Sequence, residues 1–402
     1  MKVLVVSLYF KPIWEGGGPP RTAYALSKEL VARGHEVTVY TTNCMSSDHG
    51  LVTNRPVEVD GMTVHYFENL RRFLPRPDLI PPLPYAVLNA ARGEIEDFDI
   101  IHLHEHRTLL SAAVAMQAMK HGVPYVVQPH GSVLPAYQRQ KTKLLFDRAI
   151  GLSMLRNADR LLALTGMEAE QLKTMGIDQQ RIEMLPNGIA PEDFDIVSPP
   201  GSFRRKLGLS DEPLVLYLAR FNRIKGPDIL LRAFAQVVAS IPEAHLAMVG
   251  PDDGYLAKAQ EVVRENQLED VVMFPGPIYD TKLKQAAYAD SDVYVLPSRY
   301  ETFPISVLEA WVARTPVIVS NRCGIKDDIG EAGEVVPLEP NSLSDSIIRA
   351  LNDRAGGRQR GRIGREKVFQ NYTWPLVVDR LEGILSEIVQ MRRAADAGGR
   401  KR

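Results

Sequence analysis

The chain has 402 residues, 45% hydrophobic and 24% charged, with a formal net charge of −1; this is the composition of a globular protein of two or three domains. Near-neutrality excludes a whole-chain field that draws in nucleic acid or a membrane, so any such contact has to be local. The two cysteines, Cys44 and Cys323, stand far apart and outside any metal or redox spacing. That argues against a disulfide framework and a thiolate metal site, and favours a reducing cytosol.

The opening MKVLVVSLYF carries one basic residue and runs into a Gly/Pro turn, which predicts a first buried strand and not a signal peptide. No apolar run reaches the roughly 18 residues that span a bilayer. A cytoplasmic protein is expected, with a peripheral place at the inner face of the membrane left open. Runs rich in Val, Ile and Leu then alternate with helical patterns, as in a buried parallel sheet. The first series is KVLVVSL, EVTVYTT, MTVHYF, DIIHLH, PYVVQ and RLLAL. Between the first two lies RTAYALSKELVARG, where Ala23, Leu26 and Leu30 share one helical face and Gly34 stops the helix. A second series follows: PLVLYLA, AHLAMVG, DVVMF, SDVYVLP and TPVIVS, with helices such as GPDILLRAFAQVVAS, whose Pro227 suits a first turn.

The two series are separated by GIAPEDFDIVSPPGSFRRKLGLSDEP, rich in Pro, Gly and charge. The reading is α/β throughout, with two doubly wound sheets facing across a cleft. The expected domains are 1–190 and 191–373, followed by a helix over 374–392 that returns to the first domain and a disordered tail over 393–402. In such sheets ligands bind beyond the carboxyl ends of the strands.

Two motifs sit at predicted strand ends of the second series. In YLARFNRIKGPDILL, Arg220 follows a strand and Lys225 precedes the Gly226-Pro227 that opens a helix. Two cations beside a helix N-terminus suit a diphosphate; a solvated loop is the competing reading. In SRYETFPISVLEAWVARTP, Glu301 and Glu309 would stand about 12 Å apart on a continuous helix. With a helix starting near Pro304 or Ile305 they instead hold two parts of one elongated ligand. Ionised carboxylates accept hydrogen bonds that sugar hydroxyls donate. A surface residue and a turn cap are the alternative.

In order along the chain, EGGGPPR, IHLH, QPHG, ADRLLALTGMEAEQLKTMGIDQQRIEMLPNGIAPEDF, LARFNRIKG, ETFPISVLEA and NYTWPLVV resemble the motifs of the retaining GT-B glycosyltransferases. The family is glycosyl transferases group 1, or glycosyltransferase family 4, and the resemblance spans roughly residues 1–390. It implies two Rossmann-like domains and transfer of a hexose from a UDP- or GDP-sugar to a hydroxyl acceptor, a glycan or lipid-linked intermediate of polysaccharide or glycolipid assembly. It further implies that Glu309 holds the ribose and Glu301 the donor sugar. Backbone groups of Phe303 and Ile305 would seat that sugar around Pro304, which has no N–H. Arg220 and Lys225 would bind the pyrophosphate. Gly17 and Gly18 would let first-domain backbone approach it, and His130 would face the sugar. Gly250 and Ile278 lie where relatives pass backbone along the nucleotide. Thr302 and Pro304 stand where many relatives have glycine, which alters the sugar pocket.

By the same resemblance the leaving phosphate is the base, acting on the acceptor from the same face. Neither a cofactor nor a bound metal is required, and nucleic acid is not a partner. A nucleotide-sugar 2-epimerase or a non-catalytic nucleotide-sugar binder are the alternatives. GGGPP lacks the third glycine of a dinucleotide fingerprint, and no P-loop pattern occurs. His102 and His104 share a strand face and precede Glu105 and His106, without a metal-site framework. Two basic-apolar stretches suit an anionic acceptor or membrane surface: one with Arg71, Arg72 and Phe73, the other with Arg139, Lys141 and Lys143. A packed loop and a solvated helix face read equally from them.

Overall fold

The computed structural model describes residues 1–14, 17–44, 51–69, 84, 86–134, 140–190 and 199–399. The chain forms two compact units, Met1–Asn187 with Trp374–Arg402, and Gly188–Thr373.

The first unit holds β1 (Lys2–Val6), β2 (Glu36–Thr42), β3 (Pro56–Val59), β4 (Met62–Phe67), β5 (Ile100–His104), β6 (Tyr125–Gln128), β7 (Arg160–Ala163) and β8 (Ile182–Met184). Their order is β3-β4-β2-β1-β5-β6-β7-β8. Among the strands of the described residues, only the β3–β4 pair is antiparallel. Apart from the edge strands β3 and β8, the order is third, second, first, fourth, fifth, sixth. The winding therefore reverses between β1 and β5, which opens a crevice at their carboxyl ends. Alternate side chains of β1 feed two cores. Val3 and Val5 pack with Ala23, Leu26 and Leu30 of the helix Gly18–Ala32. Leu4 and Val6 pack with Val114 and Ala118 of the helix Leu109–His121. Thr108 caps that second helix through the Ser111 N–H at 2.9 Å, and Gly122 ends it at φ 71°.

The C-terminal helix, Trp374–Gly399, completes the first core with Val377, Val378, Leu381, Leu385 and Ile388. Arg33 binds Asp379 at 2.6 Å and Glu382 at 2.9 Å. The tail expected to be disordered from residue 393 is instead helical to Gly399. Ala394, Ala395 and Ala397 are strong helix formers, and Arg393 is anchored on Asp99 at 2.7 Å.

The second unit repeats the winding, with six parallel strands among the described residues. These are β9 (Leu214–Leu218), β10 (His245–Val249), β11 (Val272–Gly276), β12 (Val293–Leu296), β13 (Val317–Ser320) and β14 (Gly333–Val336), ordered β11-β10-β9-β12-β13-β14. The reversal falls between β9 and β12. The strands β3, β8 and β14 were not foreseen, because PVEV, IEM and GEVV carry too few apolar residues to stand out. One helix is seated by glycines. On Arg354–Asn371, a Cβ at Gly361 would lie 1.9 Å from the Arg314 carbonyl oxygen and one at Gly364 2.2 Å from the Trp311 ring. Only glycine lets this helix close onto Ile305–Val312 and the turn after it.

Candidate active site

At the reversal point of the second sheet, the loops after β9 and β12 are locked together. Asn222 accepts the Lys225 N–H at 3.0 Å and closes the short turn Arg223–Lys225. Gly226, at φ 70°, then swings the chain into the helix Pro227–Ser240. A Cβ there would meet the Pro297 carbonyl oxygen at 2.0 Å. Arg299 donates twice to Asp228, at 2.8 and 2.7 Å, and once to the Arg223 carbonyl at 2.7 Å. A planar guanidinium gripping a carboxylate by two parallel bonds fixes direction as well as distance.

This frame brings Lys225 and Glu301 into a direct ion pair, with side chains only 20% and 15% exposed. The Glu301 carbonyl accepts the Gly324 N–H at 2.7 Å, so its backbone is tied to the segment beyond β13. Arg220 is more open and pairs with Asp253 at 3.3 Å. Gly250 ends β10 at φ 152°, where a Cβ would fall 1.9 Å from the Ala219 carbonyl oxygen. Its bare backbone thus positions the loop that carries Arg220. Ile278 follows β11 and is half-buried.

Pro304 precedes the helix Ile305–Val312 in an extended conformation, and among the described residues no side chain caps that helix. The Ile305 and Ser306 N–H groups thus have no side-chain cap at the sheet's carboxyl edge, while the Val307 N–H donates to the Pro304 carbonyl at 3.1 Å. Phe303 is buried against Tyr372, ring centres 5.7 Å apart. Glu309, on the second turn, receives Lys284 Nζ at 2.5 Å on one oxygen and the Tyr288 hydroxyl at 2.9 Å on the other. Burial and the Glu309 charge push the Tyr288 phenol well above its ordinary range, so it remains a donor. An ionised carboxylate has about four acceptor positions, which leaves Glu309 able to take further donors.

Gly17, Gly18 and His130 belong to the first unit. A Cβ on either glycine would meet nothing within 4 Å, so backbone is open to close approach there. Pro19 and Pro20 remove two of the N–H groups that the helix start would otherwise present. His130, at φ 55°, touches His104 through ring nitrogens 2.7 Å apart. Burial, then the neighbouring His102, lower the His130 imidazole to about 3. Lys141 and Lys143 lie on the helix Gln140–Phe146. Arg71, Arg72, Phe73 and Arg139 lie outside the described residues.

Sequence reasoning missed Lys284, Tyr288, Asp253 and the Arg299–Asp228 clamp. Lys284 and Tyr288 were findable, since their spacing puts both on one helix face. The clamp joins residues from two loops and left no local signal.

The Glycosyl transferases group 1 pattern matches residues 201–367, and the Glycosyltransferase Family 4 pattern matches residues 16–193. A D-inositol 3-phosphate glycosyltransferase 1 from Catenulispora acidiphila is 30% identical, across 76% of this chain and 74% of its own. The chain belongs to the group 1 glycosyltransferase family. A second relative of this glycosyltransferase, the D-inositol 3-phosphate glycosyltransferase of Stackebrandtia nassauensis, is 28% identical across 97% of this chain and 92% of its own. Among solved structures, sucrose-phosphate synthase from Thermosynechococcus elongatus superposes with a TM-score of 0.79 at 26% identity, covering 97% of this chain and 99% of that one. Anabaena Alr3699/HepE in complex with UDP-glucose gives 0.75 at 20% identity, covering 96% and 100%, a likeness of fold. The two sheets are therefore the two Rossmann-like domains of a GT-B glycosyltransferase.

Proposed function

We propose that this glycosyltransferase moves a hexose from a nucleoside-diphosphate sugar to a hydroxyl acceptor with retention of configuration. The observation that carries the reading is the Lys225–Glu301 pair at the sheet's reversal point. Without donor, each charge compensates the other, and a half-buried charge is costly when left alone. On donor binding the pair exchanges partners. Lys225 turns to the diphosphate and Glu301 accepts the sugar's hydroxyls, while Glu309 accepts those of the ribose. Arg220, more exposed, reaches the diphosphate from the same loop. As the sugar–phosphate bond breaks, negative charge grows on the departing diphosphate, where these cations and the uncapped helix start stabilise it. Such a preorganised donor is typically worth about 3 kcal/mol. The leaving phosphate takes the acceptor's proton from the face it departs, so no side-chain nucleophile is needed. Two fixed cations make the reaction independent of a divalent metal.

Calorimetric titration with UDP, GDP and ADP in EDTA tests this. One nucleotide should bind with micromolar affinity, and Glu309→Ala should weaken it at least tenfold. Silence from all three in the wild type would remove the donor assignment.

For the acceptor, two readings each have an observation behind them. The inositol phosphate glycosyltransferases and the sucrose-phosphate synthase support a soluble phosphorylated acceptor. Leu144 and Leu145, 56% and 68% exposed next to Lys141, support a glycan or lipid-linked acceptor met at the inner face of a cytoplasmic membrane. Flotation with liposomes containing anionic lipid separates them. Loss of flotation in Leu144→Ser/Leu145→Ser would favour the membrane, and a wild type that never floats would exclude it.

A further inference from the structure

At the opposite, amino-terminal edge of the second sheet lies a cavity of about 580 Å³, within the range of small-molecule sites. Asp292 and Pro316 on its wall immediately precede β12 and β13. Five arginines line it, Arg204, Arg205, Arg314, Arg354 and Arg358, against three aspartates, Asp211, Asp290 and Asp292. Two of those acids are already committed. Asp290 accepts the Gly201 and Phe203 N–H groups, both at 2.8 Å. Asp292 accepts the Leu214 N–H at 2.8 Å and pairs with Arg204 at 3.0 Å and Arg354 at 3.3 Å. Arg314 and Arg358, by contrast, have no side-chain partner among the described residues.

The frame fixes the backbone positions that carry these two exposed guanidinium groups. Arg358 is one turn beyond Arg354 on the helix seated by Gly361 and Gly364, so both point from one face toward the cavity wall. Arg314 stands at φ 63°, a left-handed conformation that glycine adopts freely and arginine at a cost. That left-handed turn ends the helix Ile305–Val312, with the Thr315 N–H returning to the Ala310 carbonyl at 2.9 Å, and it leaves the Arg314 guanidinium exposed at the cavity. Guanidinium forks match phosphate oxygens two at a time. The cavity's surplus of two positive charges equals the charge a phosphate monoester carries near neutral pH, roughly −1.5 to −2.

We propose that this cavity is a second anion site, which takes a small phosphate-bearing molecule between Arg314 and Arg358 and is separate from the donor residues at the other sheet edge. It adjoins the far ends of both helices that hold Glu309. Thr281–Ala289, bearing Lys284 and Tyr288, ends at the cavity-lining Ala289 and Asp290, and Ile305–Val312 ends beside Arg314. Thr315 ties the two by a 2.7 Å bond to the Tyr288 carbonyl.

The test is calorimetric titration of inorganic pyrophosphate at low ionic strength into wild type, Lys225→Ala and Arg314→Gly/Arg358→Ala. Heat that persists in Lys225→Ala and weakens at least tenfold in the double variant supports the site. An unchanged Kd in the double variant, or no binding by the wild type, overturns it. A UDP titration of the same variants keeps donor-residue failure distinguishable, since Arg314→Gly/Arg358→Ala leaves every donor residue in place. Arg314→Gly should also melt at or above the wild-type temperature, because it relieves the backbone. A drop in melting temperature would mean that Arg314 serves the fold and not a ligand.

Discussion

Burial decides the charge state of His102 and His104 on β5 and of His130 two residues beyond β6. His102 is fully buried and its imidazole is pushed from 6.5 down to about 4; His104 next to it lies well below its ordinary value, burial again being the main cause. Between pH 4 and 6.5 the unfolded chain binds a proton at His102 and the folded chain does not. Its contribution to stability is therefore complete above 6.5 and is lost as pH falls toward 4, a loss of about 3 kcal/mol. Glu105 and Glu168 run the other way, since burial raises both carboxyls to about 7. Their contribution is present below 4.5 and is lost as pH rises through 7. The informative comparison is thus between two proteins. Denaturant midpoints measured from pH 7 to pH 4.5 should fall less steeply for His102→Leu than for wild type, and parallel curves would contradict the assignment. At this scale the sequence was most legible where chemistry repeats along the chain. Donor roles for Arg220, Lys225, Glu301 and Glu309 rested on the family resemblance, while their places at strand ends and a helix start could be read from the sequence. Lys225 contacting Glu301 could not, because that contact depends on two loops being clamped by Arg299 and Asp228.

Helices in this protein use glycine in two different ways, and substitution separates them. Gly364 lies where a methyl group would enter the Trp311 ring. Gly383, on the outer face of the C-terminal helix, has nothing within 4 Å of its missing Cβ. Alanine at Gly383 should stabilise by about 0.5–1 kcal/mol through helix propensity. The same change at Gly364 should destabilise by about 1–3 kcal/mol, since overpacking outweighs propensity. Thermal melts of the two variants shifting in opposite directions would bear this out; two stabilised variants would show that the seam is not tight. The main strands were legible because parallel strands buried on both faces read as continuous apolar runs. The edge strands were not, and the helical tail was mistaken for coil because Ala and Arg form no apolar stripe there.

The larger arrangement follows from where the chain goes last. Leu381, Leu385 and Ile388 arrive after the whole second sheet, yet they fill a core of the first. Leu385→Ala should cost about 2–5 kcal/mol, and the loss should fall on one unit. Hydrogen exchange should speed up in β1, β2 and β4 while β9, β10 and β12 keep their protection. Equal loss in both would mean that the units do not open separately. The repeated α/β alternation announced two sheets and the Pro/Gly-rich segment announced the division between them. No local pattern near Trp374 says which sheet the final helix joins.

That late return also has a consequence for synthesis. Chains emerge at about 5–20 residues per second and their domains tend to fold in the order made. Here the first-made sheet lacks part of its hydrophobic layer until the final helix has left the ribosome. The second sheet, by then, has all its strands. The nascent chain would close its later half first, leaving the part of the first core that Val377, Leu381, Leu385 and Ile388 cover open to a chaperone until the last stretch arrives.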